Sequence, residues 1–369
     1  MLDILGWTAA YEEWLKARVP DLVAADLRRK HEDMTDSPFV FLRATYYAWA
    51  KLWPDALRGL GDAPRVTAVG DLHFENFGTW RDAEGRLAWG VNDFDEASLL
   101  PYTNDLVRLA TSVALAAEDE RIRSPAEDLS LAFLDGYRQC LKRGGRATVL
   151  GEEHRRLERY ILEGLVQRRK ERKKESKGRK RQKETAAPPE DCRKALEAAL
   201  PAGPESVDIR PRTAGVGSLG RPRFLATRTW NGGPVMREAK ARVASAACWA
   251  TGAEESSRAF EVLLTRSIRS RDPFLHLAGR WVVRRLAADT DKIEIEVKGL
   301  PRSLELELAE LMGREVANVH LATAEAGPAI LEDLRRRARG WLLKAAREMA
   351  AIHEECHRIW KKAWRAENE

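Results

Sequence analysis

Asp71, His73, Glu75 and Asn76 fall within six residues of one another in the stretch 69-VGDLHFENFG-78, and Asp93, Asp95 and Glu96 follow in 91-VNDFDEA-97. So many acids in so little chain repel one another unless a cation or a basic substrate relieves them. A divalent hard cation takes carboxylate and amide oxygens as ligands, and phosphoryl transfer needs, besides, a carboxylate that orients the attacking hydroxyl. Asp71, an asparagine five residues on, and Asp93 behind a short apolar strand supply all three. Each alone is ordinary turn chemistry, because Asp and Asn favour loops. The set, on a stretch stiffened by aromatic residues and glycines, is a candidate site.

A second constellation is 215-GVGSLG-220 with Lys240. Gly215, Gly217, Ser218 and Gly220 form a turn whose backbone N–H groups can approach phosphates closely, and a lysine on a following strand reaches the same phosphates. The pattern alone is any tight β-turn. Its context, strand, turn, strand, turn, strand, excludes the strand-turn-helix of a dinucleotide-binding fold. A third group, His353, Cys356 and His357, has metal-ligand residue types on one or two helical turns. No second ligand cluster accompanies it, so the expectation is a helix face rather than a metal site.

The elements that must position these residues are legible in the periodicity. Residues 1 to about 60 read as helices, with Trp7, Tyr11 and Trp14 on one face and 38–53 as a second, aromatic helix. Residues 65–69 and 87–91 read as strands flanking the acidic loop, followed by a helix after Pro101 and another over 126–143. Beyond a basic run the texture turns to strands at 206–215, 221–230 and 235–240, with 231-NGGP-234 as a hairpin signal. A helix over 253–268, strands at 273–278 and 281–287, and helices over 303–324 and 329–365 complete the chain. The implied organisation is a helical segment 1–63, a catalytic-loop and helical part 64–165, a basic linker or helix 166–191, a glycine-rich-loop β part 192–300, and C-terminal helices 301–369 that pack on the catalytic part.

With 369 residues, 44% of them apolar, the chain can build a substantial core. The formal charge of +6 sits largely in 168-RRKERKKESKGRKRQK-183, which holds eleven Lys or Arg against two Glu. That run offers charge to nucleic acid but no aromatic residue to stack on bases, so a solvated helix or linker is favoured. Four cysteines without CxxC spacing fit a reducing compartment. The N-terminus has acids where a signal peptide would be basic, and no apolar run is long enough to span a bilayer. A cytoplasmic protein without membrane partners is expected.

The strings GDLHFENFG and VNDFDEA resemble the catalytic segment of aminoglycoside and choline phosphotransferases, HGDxHxxN followed by a strand ending in an aspartate and an aromatic residue. They resemble still more closely a bacterial family labelled domain of unknown function 2252. The similarity extends to 39-FVFLRA-44, 105-DLVRLATS-112, GVGSLGRPRF, 240-KARVASA-246, 282-VVRRL-286 and 313-GREVANVHLAT-323. Val69 stands where the phosphotransferases have the scaffold histidine of their motif, and the glycine-rich half follows the catalytic half instead of preceding it. The resemblance therefore implies an α+β, protein-kinase-like, two-lobed fold that is circularly permuted.

It further implies an ATP- and Mg²⁺-dependent phosphotransferase acting on an unidentified small-molecule or protein acceptor. Asp71 would orient or deprotonate the acceptor hydroxyl. Asn76 and Asp93 would hold the metal, and Lys240 would grip the α- and β-phosphates. A carboxylate of the following helix would pair with Lys240; spacing selects Glu261, with Glu254 and Glu255 as rivals. His73 would contact substrate or brace the loop, and Asp95 would share the metal or answer Arg108. The alternative is a non-catalytic nucleotide-binding or regulatory protein, associated with nucleic acid through its basic segment. A metal-dependent phosphohydrolase would leave the glycine-rich hairpin and Lys240 without a role.

Overall fold

The computed structural model describes residues 2–57, 59–164, 187–253, 258–286 and 300–368. The basic run 168–183 and the rivals Glu254 and Glu255 lie outside the described residues. The chain is mixed α+β: helices dominate both ends, and ten short strands form three antiparallel sheets among the described residues.

The N-terminal helices are Ile4–Lys16, Ala24–Asp33, Pro38–Ala44 and Tyr46–Ala56. The helix expected over 38–53 is thus two, broken at Thr45, whose extended φ of −123° departs from the helical value and whose hydroxyl donates to the Phe41 carbonyl. Strands β1 (Arg65–Ala68) and β4 (Ser98–Pro101) pair with each other, and β2 (Phe77–Arg81), β3 (Leu87–Val91) and β5 (Thr148–Val149) form a second small sheet. Helices Tyr102–Glu118, Ala126–Arg143 and Arg302–His320 pack around them. The helix expected over 329–365 divides into Ala326–Arg336 and Trp341–Asn368, parted at Gly340, whose φ of +75° a helix cannot use. All these elements share one core that buries Trp49, Trp89, Tyr102, Phe133 and Tyr137.

Strands β6 (Asp208–Pro211), β7 (Arg223–Trp230), β8 (Gly233–Ala241), β9 (His276–Ala278) and β10 (Trp281–Leu286) form a separate sheet in the order β6-β7-β8-β10-β9. The helix Glu190–Ala199 covers it, burying Cys192 and Leu196 with Phe224, Ala239 and Trp281 in a second, smaller core. The sequence pattern had placed these strands well and had missed the covering helix. Between β8 and β9 the chain forms the helices Ala246–Thr251 and Arg258–Arg266.

A candidate active-site cleft

The acidic loop is held by the helix Tyr102–Glu118. The Asp105 carboxylate accepts the backbone N–H groups of Val69 (2.7 Å) and Gly70 (3.0 Å), and Ser112 Oγ accepts that of Phe74 (3.0 Å). Asp105 is itself braced by His320 Nε2 at 3.1 Å, whose Nδ1 meets the Tyr137 hydroxyl at 2.8 Å. Gly70 has a φ of +79°, and a Cβ there would lie 2.3 Å from the Glu96 carbonyl oxygen, so only glycine allows the two acidic segments to approach.

Antiparallel pairing does the rest. Phe77 stands opposite Val91 in the β2–β3 register, and the next pair out joins the Asn92 N–H to the Asn76 carbonyl at 2.9 Å. Asp93 is thereby delivered beside Asn76. The Asn76 amide donates to the carbonyls of Asp71 (3.1 Å) and Asp93 (3.2 Å), clamping both segments. Its Oδ1 is buried and has no hydrogen-bond partner among the described residues, and neither has Asp95 Oδ1.

One narrow cavity of about 50 Å³ gathers Asp71, His73, Asn76, Asp93, Asp95 and Glu96 with the glycine-rich turn Gly215–Ser218, together with Arg43 and Arg221. Gly217 approaches so closely that a Cβ would sit 2.9 Å from the Arg43 carbonyl oxygen and 3.5 Å from Asp71 Oδ2. Gly220 is not in the cavity. Its carbonyl accepts the Val23 N–H at 2.9 Å and its α-carbon packs under Leu27, so the segment Val23–Leu27 holds the turn down.

The crowded acids are answered by the chain's own cations. Arg108, fully buried, donates to Asp71 Oδ1 through both Nε (3.1 Å) and Nη2. Arg43 pairs with Glu75 at 2.5 Å. From the five-stranded sheet, Lys240 Nζ reaches Asp93 Oδ2 at 3.0 Å and Asp95 Oδ2 at 2.5 Å. Arg221, in the link between the glycine turn and β7, reaches Asp95 (3.3 Å) and Glu96 (2.8 Å). Burial raises the Asp95 carboxyl above its usual range, with the charge of Asp93 adding to it, against the pull of Lys240 and Arg221. Burial also raises Glu96, opposed by Arg221.

Two expected pairings are corrected. Lys240 is paired with Asp93 and Asp95, and Glu261 stands exposed on the helix Arg258–Arg266. Lys240 lies on β8, and that strand's one acid, the buried Glu238, is taken by Arg212, Arg223 and Arg284, which hold it well below the carboxylate range in spite of burial. Asp95 does not answer Arg108, which belongs to Asp71. Arg221, Arg43 and Asp105 are participants to which the sequence reading gave no role, although each lies in a quoted motif, GVGSLGRPRF, FVFLRA and DLVRLATS.

The trio His353, Cys356 and His357 is buried in the main core rather than displayed on a helix face. Burial drives the His353 imidazole down to about 3, helped by the nearby charge of Arg108, and His357 Nε2 meets the Thr35 carbonyl at 3.2 Å. Among the described residues no three His, Cys, Asp or Glu side chains converge as a metal cluster, so any cation at the acidic loop depends on the Asn76 amide as well.

Fold and site together define an α+β protein in which a braced acidic loop faces a glycine-rich β-turn. Residues 18–192 match the family model described as "Uncharacterized protein conserved in bacteria (DUF2252)". The match carries the acidic loop and both its segments. It is narrower than the sequence motifs implied, for the glycine-rich turn, Lys240 and the C-terminal helices lie beyond it. No curated protein and no solved structure matches the chain. No helix among the described residues is long and apolar enough to cross a membrane.

Proposed function

We propose that the chain is a kinase-like phosphotransferase that uses ATP with Mg²⁺ to modify an acceptor hydroxyl, in a two-lobed, circularly permuted, protein-kinase-like arrangement. The observation that carries this reading is the one cavity shared by Asp71, Asn76, Asp93 and the turn Gly215–Ser218, with Lys240 on the third strand of its sheet paired to Asp93. Kinases cover the phosphates with a glycine-rich loop, hold them with a third-strand lysine, and hold the metal with an aspartate and an asparagine.

The donor set fits the cation. Asn76 Oδ1 and Asp95 Oδ1 are buried without hydrogen-bond partners among the described residues, and with Asp93 they offer the hard oxygens that Mg²⁺ takes. Bound there, the ion would neutralise phosphate charge. Arg108 fixes the Asp71 carboxylate through Oδ1, leaving Oδ2 on the side of Gly217, where it would accept the acceptor's hydroxyl proton. The N–H groups of the glycine turn would cradle the phosphates, and Lys240 would exchange its carboxylate partners for them.

A cavity of about 50 Å³ is far below the ~300–1,000 Å³ of sites that enclose small molecules. Nucleotide entry therefore requires the glycine turn to lift away from Arg43 and Asp71. The carboxylate partners that Lys240 and Arg221 already possess favour a second reading: a nucleotide-binding or regulatory protein without turnover. Thermal stabilisation by ATP with and without Mg²⁺ tests binding. Mg²⁺-dependent ATP consumption, lost in Asp71→Asn, separates the enzyme from the binder. No stabilisation by any nucleoside triphosphate would overturn both readings.

A further inference from the structure

Sharing no lining residue with the acidic cleft, the helix Ala126–Arg143 and the turn between the helices Ala326–Arg336 and Trp341–Asn368 enclose a groove of about 620 Å³. Its floor is apolar: Leu131, Leu134, Leu331, Leu334 and Trp341. Leu131 is 52% exposed. Two polar atoms within this lining are buried and have no hydrogen-bond partner among the described residues, Ser130 Oγ and Trp341 Nε1, and Ser130 as a whole is only 3% exposed. Orphaned buried polar groups of this kind are rare in folded chains and call for a partner.

The charges around the groove are one-sided. Arg138, Lys142, Arg335, Arg337 and Arg339 line it against Glu127 alone. Arg335 and Arg337 have acidic neighbours in Glu332 and Asp333, and Arg138 has Asp135 at 4.0 Å. Glu127 has Arg347, at 3.8 Å. Lys142 and Arg339 have no ion pair among the described residues. An apolar floor, a buried donor and unpaired cations at the rim complement a molecule with an apolar body and an anionic head. The volume lies within the range of small-molecule sites, whereas a protein partner of ordinary affinity would need a much broader surface.

We propose that this groove is a binding site for an amphiphilic carboxylate, an aliphatic or aromatic acid, with its apolar body along Leu131, Leu134 and Leu334 and its head between Lys142 and Arg339. The site is independent of the phosphotransferase reading.

Calorimetric titration of the full chain with sodium octanoate, decanoate and decyltrimethylammonium, below their micelle concentrations, tests it. The expected results are one decanoate site, affinity rising about four-fold per added methylene, and binding of the anion at least ten-fold tighter than that of the cation of equal chain length. Leu131→Asp, at an exposed position that leaves folding intact, should abolish decanoate binding, and the pair Lys142→Glu with Arg339→Glu should erase or invert the preference for the anion. Equal affinity for anion and cation, binding that survives Leu131→Asp, or no decanoate binding would overturn the proposal. So would an acidic amphipathic peptide that occupies the groove where decanoate does not.

Discussion

Replacing Lys240 by methionine keeps the length and apolar stem of the side chain and deletes one charge. The lysine is 8% exposed, and its partners Asp95 and Asp93 are 10% and 22% exposed. Breaking a buried ion pair by removing one partner costs about 3–5 kcal/mol, because the remaining charge is left uncompensated. Three features pull the value to the lower end. Arg221 stays 3.3 Å from Asp95, Asp93 keeps contact with solvent, and the Asp95 carboxyl, already raised by burial, can take up a proton instead.

A loss of about 3 kcal/mol is therefore expected, equivalent to a drop of about 4 °C in Tm for 369 residues at the usual unfolding entropy. Calorimetric melting near neutral pH measures it. If Asp93, Asp95 and Asn76 hold a cation, millimolar Mg²⁺ should restore at least half of the loss and stabilise the variant more than the parent. A variant that melts with the parent would refute the buried-pair argument. A loss untouched by Mg²⁺ would refute the cation site and leave the pairs as a latch between sheet and helices.

Further outcomes are expected at neighbouring residues. Asp93→Ala should abolish the Mg²⁺ dependence of ATP-induced stabilisation while the chain stays folded; an unchanged Mg²⁺ response removes Asp93 from the site. Asp71→Asn should leave ATP affinity nearly unchanged while turnover falls steeply, because a carboxylate that positions a nucleophile acts mainly in the transition state; equal losses of affinity in Asp71→Asn and Lys240→Met would make Asp71 structural. Gly217→Ala should lower Tm and weaken the ATP response, since its Cβ would meet the Arg43 backbone carbonyl oxygen at 2.9 Å, and an unchanged Tm with a full response would dismiss the close approach of the two loops. The Glu315 carboxyl, pushed up to about 7 by burial against hydrogen bonds from Thr148 and Asn318, binds its proton more tightly folded than unfolded. Its contribution of about 3 kcal/mol is complete below its ordinary value near 4.5 and is lost as pH rises toward 7. Glu315→Gln should flatten Tm against pH over roughly pH 5–8, and an unaltered slope would place the titration elsewhere.

Much of the site was legible locally. Asp71, Asn76 and Asp93 are joined by a short hairpin, and strand alternation with a turn between fixes the register that sets Asn76 beside Asp93. The strands β6 to β8 and the turn Gly215–Gly220 were legible for the same reason: hairpins are made of near neighbours, and Asn231 and Gly232 in the turn announce themselves by type. The breaks at Thr45 and Gly340 were less legible, because apolar periodicity runs on across a kink that packing imposes.

What tertiary structure alone decided is which cation answers which acid. Lys240 lies 147 positions from Asp93, and Arg221 lies 125 from Glu96; nothing in local spacing ranks these partners above Glu261 or Arg108. Spacing favoured Glu261 because it sits on the helix that follows the lysine strand, but that helix turns Glu261 to solvent. Ion pairs are chosen by distance and burial, since a charge removed from water needs a partner within a few ångströms whatever its place in the chain. Residue types therefore fixed the chemistry available to the acidic loop, and packing of the five-stranded sheet against the helices determined which side chains neutralise it.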